Sequence, residues 1–465
     1  MTTAAPTHSQ AFRTRRFLNW FPLGLAYAFL YMGRYNLTVF KRVVPDDVMT
    51  KQEFGAIFAA GAIVYGFGFL VTGPLVDRFG GRRGMLIGTA GAIFMNAGIG
   101  VALLGTQQWG WELALLPVVT ALFCGNMFFQ SFGAISIVTV KAPWFHVRER
   151  GTFSTIFSCM ISLGILFAFD WGGAIADATA PKIGELTIMA KFFHAILPLG
   201  DGGIDQRYFM FFTPAFMLTL MWIAMFFLLR DNPSEAGFDD FDTGEEALSD
   251  DGERLPLGTL IKKIFSHPII IIIIGIEFCS GIMRNGVMHW YRMYAKAVGS
   301  TDNIVYEHWG LVLCVAGIVG GILCGWCSDK FFQSRRAPMA AVLYGTMLIF
   351  TVVMYFTVSG GPWLPISAVI MSMAVIGVHG ILSGTATVDF GGSKNGGTVV
   401  GIVDGFVYLG AAIQSVSIGA LAPVGEAAKN ADNWSNWPLF LMPWAFVGCL
   451  LAAKIWNAAP KKKGG

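Results

Sequence analysis

Residues 73–83 read GPLVDRFGGRR, and residues 325–336 read GWCSDKFFQSRR. Each places a glycine four residues before an aspartate, follows the aspartate with a basic residue, and closes on a paired arginine; the second copy has one extra gap residue. Asp77 and Asp329 are 252 residues apart. A second pair obeys nearly the same offset. Arg34 lies alone among apolar residues in FPLGLAYAFLYMGRYNLTVF (21–40), and Arg284 is the one arginine of IIIIGIEFCSGIMRNGVMHWY (271–291), 250 residues later. Two independent features sharing one offset mark an internal duplication, and the repeated unit is a membrane one.

The chain has 465 residues, 55% of them hydrophobic and only 13% charged, with a mean hydropathy of +0.60. Soluble domains carry about 25% charged residues, so this is the composition of a multi-span membrane protein. About 20 apolar residues cross a bilayer as a helix. Such runs fall near 17–40, 53–76, 84–104, 112–140, 151–176 and 207–229, then near 268–291, 307–327, 338–358, 363–387, 397–422 and 437–456. The expected architecture is all-α: twelve transmembrane helices in two six-helix repeats. Residues 1–229 form the first bundle, 230–266 a polar acidic linker on the cytoplasmic side (DDFDTGEEALSDDGER at its centre), and 267–465 the second bundle.

Basic residues set the orientation. Arg13, Arg15 and Arg16, then Arg78, Arg82 and Arg83, then Lys141, Arg148 and Arg150, with Lys262, Lys263, Lys330, Arg335, Arg336 and Lys461 to Lys463, all fall on one side of a twelve-span chain. Both termini are therefore expected in the cytoplasm. Lys41, Arg42, Arg292 and Lys296 sit on the other side as exceptions. The opening MTTAAPTHSQAFRTRR lacks the apolar core of a removable signal, which suits a bacterial inner membrane.

Net charge is +3 with the basic residues in short loops, so no nucleic-acid surface is expected. The seven cysteines lie in apolar segments, where free thiols act as small hydrophobes, and the Cys324–Cys327 CxxC has no second ligand pair. There is no phosphate-binding nucleotide loop, metal-ligand cluster or nucleophile triad, so neither an enzyme nor a cofactor or metal is expected.

An arginine at the centre of a membrane helix costs between about 2.5 and over 10 kcal/mol, and such residues mark functional sites. Tyr27, Tyr31 and Arg34 follow i, i+4, i+7 and share one helix face. A guanidinium offers a planar fork of donors suited to phosphate or carboxylate. Two arginines from opposite repeats match the −1.5 to −2 charge of a phosphate monoester better than a monocarboxylate, and an anion held between them would draw the halves together. Pairing with intramembrane carboxylates is the structural alternative for both arginines: Asp170, Glu277, Asp389 and Asp404 are the candidates, and Glu277 is about 10 Å along the helix axis from Arg284. Asp404, in VGIVDGFVYLG, is a candidate coupling acid. His289 is expected at the membrane interface, and Gly317, Gly320 and Gly321 in close helix packing.

The surroundings of these residues resemble the organophosphate:phosphate antiporters of the major facilitator superfamily, which include glycerol-3-phosphate and hexose-phosphate transporters. YMGRYNLTVF is similar to their first helix, MRNGVMHWYRMYAK to the seventh, AGIVGGILCGWCSDK to the eighth, and the ERG after the fourth span, RDNPSEAGF and GFVYLG also fit. The resemblance implies that Arg34 and Arg284 bind phosphate, that Tyr27, Tyr31 and Tyr408 line the substrate site, and that His379 stands where the family has a tenth-helix tyrosine. It also implies that Asp77, Arg78 and Asp329 latch the cytoplasmic face. Where family members carry a second-helix lysine this chain has Phe69; a fifth-helix histidine is replaced by Ile161, and a seventh-helix tyrosine by Gly281. The implied activity is exchange of an organic phosphate for inorganic phosphate by alternating access, in a monomer held by the bilayer. Proton-coupled symport of another organic anion through Asp404, and sugar-phosphate sensing, are the alternatives.

Overall fold

The computed structural model describes residues 8–146, 149, 159–181, 185–200, 203–243, 257–332, 336–382 and 396–457. Within these, the long helices are α1 (Gln10–Val43), α2 (Lys51–Phe79), α3 (Gly81–Gln108), α4 (Leu115–Trp144), α5 (Cys159–Ala178) and α6 (Phe209–Leu228) in the first half. The second half holds α7 (Pro268–Met288, continued by Tyr291–Ala297), α8 (Trp309–Phe332), α9 (Arg336–Phe356), α10 (Trp363–Ile381), α11 (Gly396–Leu421) and α12 (Asn436–Lys454). Eleven helices among the described residues are long and apolar enough to cross a bilayer. The twelfth is α1, with 34 residues; Asn19 and Arg34 lower its apolarity, and both are buried. With twelve crossings both chain ends lie on one face, called here the terminal face.

Helix starts follow their local chemistry. Ser9 Oγ accepts from Phe12 N at the head of α1. Thr50 and Glu53 form a reciprocal capping box at the head of α2, with Glu53 N donating to Thr50 Oγ1 (3.1 Å) and Thr50 N donating to Glu53 Oε2 (2.7 Å). Pro268 opens α7 at a position where a missing N–H is tolerated.

The part of the expected linker nearest α6 is not free chain. Asn19 and the backbone of Arg230 exchange hydrogen bonds, and Trp144 Nε1 donates to the carbonyls of Arg230 and Asp231. Asp231 Oδ1 accepts from Arg82 N at the head of α3, and Phe238 and Phe241 pack against Phe12. RDNPSEAGF thus works as a cap and a hydrophobic plug. Near the other end, Leu257–Ser266 is a short helix. The acidic run 244–256 lies outside the described residues.

The halves meet most closely along α2 and α11. A Cβ on Gly66 would stand 2.8 Å from the carbonyl oxygen of Gly405, and one on Gly405 would stand 2.9 Å from that of Gly66, so only glycine allows this crossing. Gly281 is equally constrained: a Cβ there would come within 1.8 Å of Val407 O, where α7 lies on α11. The tyrosine expected at this position by resemblance has no room. Gly317 and Gly320 pack tightly as expected, against Ser162 and Met373, but Gly321 faces open space.

Candidate functional site

Arg34 is fully buried and held from several helices. Its Nε donates to Gln130 Oε1 on α4 (3.0 Å), Nη2 donates to Tyr65 Oη on α2 (3.2 Å), and Nη1 donates to Tyr408 Oη on α11. Its guanidinium carbon lies 4.7 Å from the Tyr31 ring centroid and 4.5 Å from that of Tyr65, at cation–π distance. Gln130 is itself fixed. Its Nε2 donates to Asn126 Oδ1, Asn126 Nδ2 donates to the carbonyl of Gly33, Asn96 donates to Asn126, and Asn36 donates to Asn96. This buried amide ladder ties α1, α3 and α4 together and sets the orientation of the arginine. Tyr27 sits one turn along α1 from Tyr31, ring centroids 5.4 Å apart, and both are buried.

Arg284 is 7% exposed. Its guanidinium carbon lies 5.7 Å from the Tyr408 ring centroid, and the Arg34 carbon lies 5.4 Å from the same centroid. Tyr408 therefore stands between the two cations. Arg34, Arg284, Tyr31 and Tyr408 come together here from both halves. Neither arginine forms a salt bridge with Asp170, Glu277 or Asp404 among the described residues; Asp389, the fourth carboxylate weighed from sequence, lies outside them. Nε and Nη2 of Arg284 are buried with no hydrogen-bond partner. Orphaned donors on a charged group are costly to bury.

A third group lies nearer the terminal face. Glu277, with no exposed side-chain surface, accepts from Ser280 Oγ (2.9 Å) and pairs through Oε2 with His379 Nδ1 (3.1 Å). Glu277 Oε1 and Asp404 Oδ1 are buried without partners. His379 thus reaches a carboxylate rather than the arginine pair.

At the face opposite the termini the two halves are joined by residues that include two exceptions to the charge rule, Lys296 and Arg292. Lys296 Nζ donates to the carbonyl of Arg42 (2.7 Å), Arg292 Nη1 to that of Phe169 (3.3 Å), and Lys51 Nζ to that of Pro423 (3.0 Å). Lys41 pairs with Asp46 at 2.7 Å. Asp170, in a π-helical turn of α5, accepts from Gly310 N (2.7 Å) and Leu311 N (2.8 Å), capping the first turn of α8 from the other half. His289 is not interfacial. It is buried beside the rings of Phe58, Tyr35 and Phe54, with centroids 4.3, 5.6 and 5.8 Å away. On the terminal face, Asp77 is part-buried and Arg78 exposed in the last turns of α2. Asp329 lies on α8 with its side chain outside the described residues, as is the whole of Asp389.

Tyr65 and Gln130, two direct partners of Arg34, were not singled out from sequence. The available signal was weak: two amides spaced i, i+4 in CGNMFFQSF, and a tyrosine in an apolar span.

The profile of the Major Facilitator Superfamily matches residues 23–415. The chain belongs to that family. Membership places it among membrane transporters rather than enzymes. It is similar to the glycerol-3-phosphate transporter of Bacillus subtilis strain 168, 24% identical over 450 residues that cover 94% of this chain and 91% of the relative. It is also 24% identical over 434 residues to the membrane sensor protein UhpC of Escherichia coli K12, covering 90% and 86%. A probable hexose phosphate transport protein of Chlamydia trachomatis is 22% identical, covering 94% and 90%. These relatives fall within the organophosphate:phosphate antiporter group. In fold, the chain is similar to a bacterial homolog of the human lysosomal transporter Spinster in an inward-facing, unoccupied conformation, with a TM-score of 0.70, 14% identity and coverage of 98% and 100%. A D-xylose-proton symporter aligns with a TM-score of 0.62 at 15% identity, covering 96% and 98%.

Proposed function

We propose that this protein exchanges an organic phosphate for inorganic phosphate across the membrane, by alternating access about a two-arginine site. The observation that carries this reading is the pair of orphaned Arg284 donors beside a fully tethered Arg34, with Tyr408 shared between them. A phosphoryl group has the charge and the acceptor oxygens to fill those donors, and it would tie α1 to α7 while bound. Tyr31 and Tyr27 extend the site along α1, and His379 bounds it through Glu277.

In this reading the bundles 1–229 and 267–465 rock about the site as two bodies within one monomer, with both termini in the cytoplasm and the inner membrane of a bacterium as the setting. Closing one face requires opening the other. Asp170, Lys51, Arg292 and Lys296 hold the face opposite the termini shut, while Asp77, Arg78 and Asp329 latch the terminal face in the alternate state. An empty site keeps Arg284 unsatisfied, so reorientation is fastest with an anion bound, and exchange follows.

The test is exchange of labelled inorganic phosphate in proteoliposomes, for wild type and for Arg34→Lys and Arg284→Lys. Lysine keeps the charge and loses the fork. Exchange in wild type that collapses in both variants supports the reading. No exchange by folded wild-type protein would sink it, and uptake that follows an imposed pH gradient and fails in Asp404→Asn would replace it with proton symport.

A further inference from the structure

Resting on the anion site proposed above, we infer that the organic phosphate carries a protonated amine, held by Glu277 and Asp404 while its phosphate sits at Arg34 and Arg284. Glu277 has no exposed side-chain surface, and its Oε1 has no partner; Asp404 Oδ1 is likewise buried and unpartnered. A buried carboxylate oxygen without a donor is as costly as the orphaned arginine donors two helical turns away. The site thus shows two complementary vacancies in hydrogen bonding, one asking for acceptors and one for donors.

Their placement fits one molecule. Glu277 precedes Arg284 by seven residues, so both share a face of α7 about 10 Å apart along the axis. Asp404 precedes Tyr408 by one turn on α11, and the Tyr408 ring touches both arginines. Odd-numbered helices rise from the terminal face, so both carboxylates lie on that side of the arginine pair. His379 on α10 reaches Glu277 through Oε2 only and leaves the other oxygen open. Among the described residues, the charged and titratable groups around Asp404 are His379, Glu277 and Arg284, with Tyr65 of α2 facing it from the other half.

Charge balance points the same way. Two arginines against two carboxylates balance, and protonation of His379 beside Glu277 would leave one positive charge. A phosphate monoester adds about −1.5 to −2 charges, and a buried site holds uncompensated charge poorly. An ammonium on the same molecule offsets part of that excess and supplies donors to the orphaned oxygens.

The experiment compares glucosamine 6-phosphate with glucose 6-phosphate, a pair that differs by amine against hydroxyl, as inhibitors of labelled phosphate exchange in proteoliposomes. Wild type should be inhibited by the amine ester at a concentration at least about tenfold lower, as expected for a buried charge-assisted contact. In Glu277→Gln and Asp404→Asn the ratio should fall to within about twofold. Equal inhibition by the two esters in wild type overturns the inference, as does a preference that survives in both folded variants. If wild type shows no phosphate exchange, the exchange reading fails separately. Thermal stabilisation of the detergent-solubilised protein by each ester then decides the amine site: stabilisation by glucosamine 6-phosphate alone supports it, and equal or absent stabilisation by both overturns it.

Discussion

Arg34 and Arg284 stand at matching places in the two repeats, but their surroundings differ. Arg34 donates to Gln130, Tyr65 and Tyr408 and rests on an amide ladder reaching Asn36. Arg284 touches the Tyr408 ring and leaves two donors unpartnered. The first half therefore presents a finished cation, and the second half an unfinished one. Duplication supplied the same side chain twice, and the neighbours differ: one arginine is tethered from several helices, while the other keeps two donors open for the anion that the proposed site shares between them.

Methionine at each position breaks the comparison most sharply. Arg34→Met strands Gln130 and the tyrosine hydroxyls and should cost about 2–4 kcal/mol of stability. Arg284→Met removes orphaned donors and should lie within about 1 kcal/mol of wild type, or above it. Apparent melting temperatures in detergent measure the difference, and equal losses would erase the distinction. Both variants should lose phosphate exchange by about a hundredfold or more. Ligand response sharpens the same contrast: phosphate at about 100 times its dissociation constant should stabilise wild type by about 2.7 kcal/mol, and Arg284→Lys should lose this shift at the same phosphate concentration. A thermal-shift titration reads it directly. Gln130→Leu and Tyr65→Phe probe the scaffold of Arg34. Each should lower stability by about 1 kcal/mol and slow exchange by roughly tenfold, whereas Ser280→Ala, which touches Glu277, should leave the arginines in place and the phosphate shift unchanged.

The smallest expected effect lies outside the site and serves as its control. Glu149 grips Arg16 through both carboxylate oxygens, at 2.9 and 3.3 Å. Burial opposes ionisation of Glu149, but the Arg16 fork overrides it and holds the carboxyl below the usual range. A depressed acid contributes stability that is present above its unfolded value, about 4.3, and is lost as pH falls through the folded value. The contribution should stay under about 1 kcal/mol, and Glu149→Gln should flatten the acid limb of a melting-temperature profile without changing phosphate exchange at neutral pH.

The architecture was legible because it is written in repeated features: Asp77 with Asp329, Arg34 with Arg284, and a dozen apolar runs. The site was half legible. Arginines in apolar sequence announce themselves through their desolvation cost, and Tyr31 follows by helical spacing. Gln130 and Asn126 are neutral, have no counterpart in the other repeat, and matter only because α4 packs on α1. Tyr65 reads as one more membrane tyrosine until α2 is placed beside α11. His289 was misread because a histidine near a helix end normally meets headgroups, whereas here the other half covers it with Phe54 and Phe58. Lys296 and Arg292 looked like violations of a topological rule, and Lys51 drew no notice. Their partners are backbone carbonyls more than a hundred residues away, which no local pattern reveals.

That last feature reaches into how the protein can change over generations. At the face opposite the termini, Asp170 reads the amides of Gly310 and Leu311, and three cations read the carbonyls of Arg42, Phe169 and Pro423. Every one of these contacts joins a side chain to the main chain of the other half. The receiving positions can drift in identity while the contact persists, save that a proline at 310 or 311 would delete a donor. Charge-swap pairs will therefore be missing from any comparison of descendants, and covariation will be silent about this seal. Only the four side chains Asp170, Lys51, Arg292 and Lys296 need to be kept, because the receiving half of each contact is backbone.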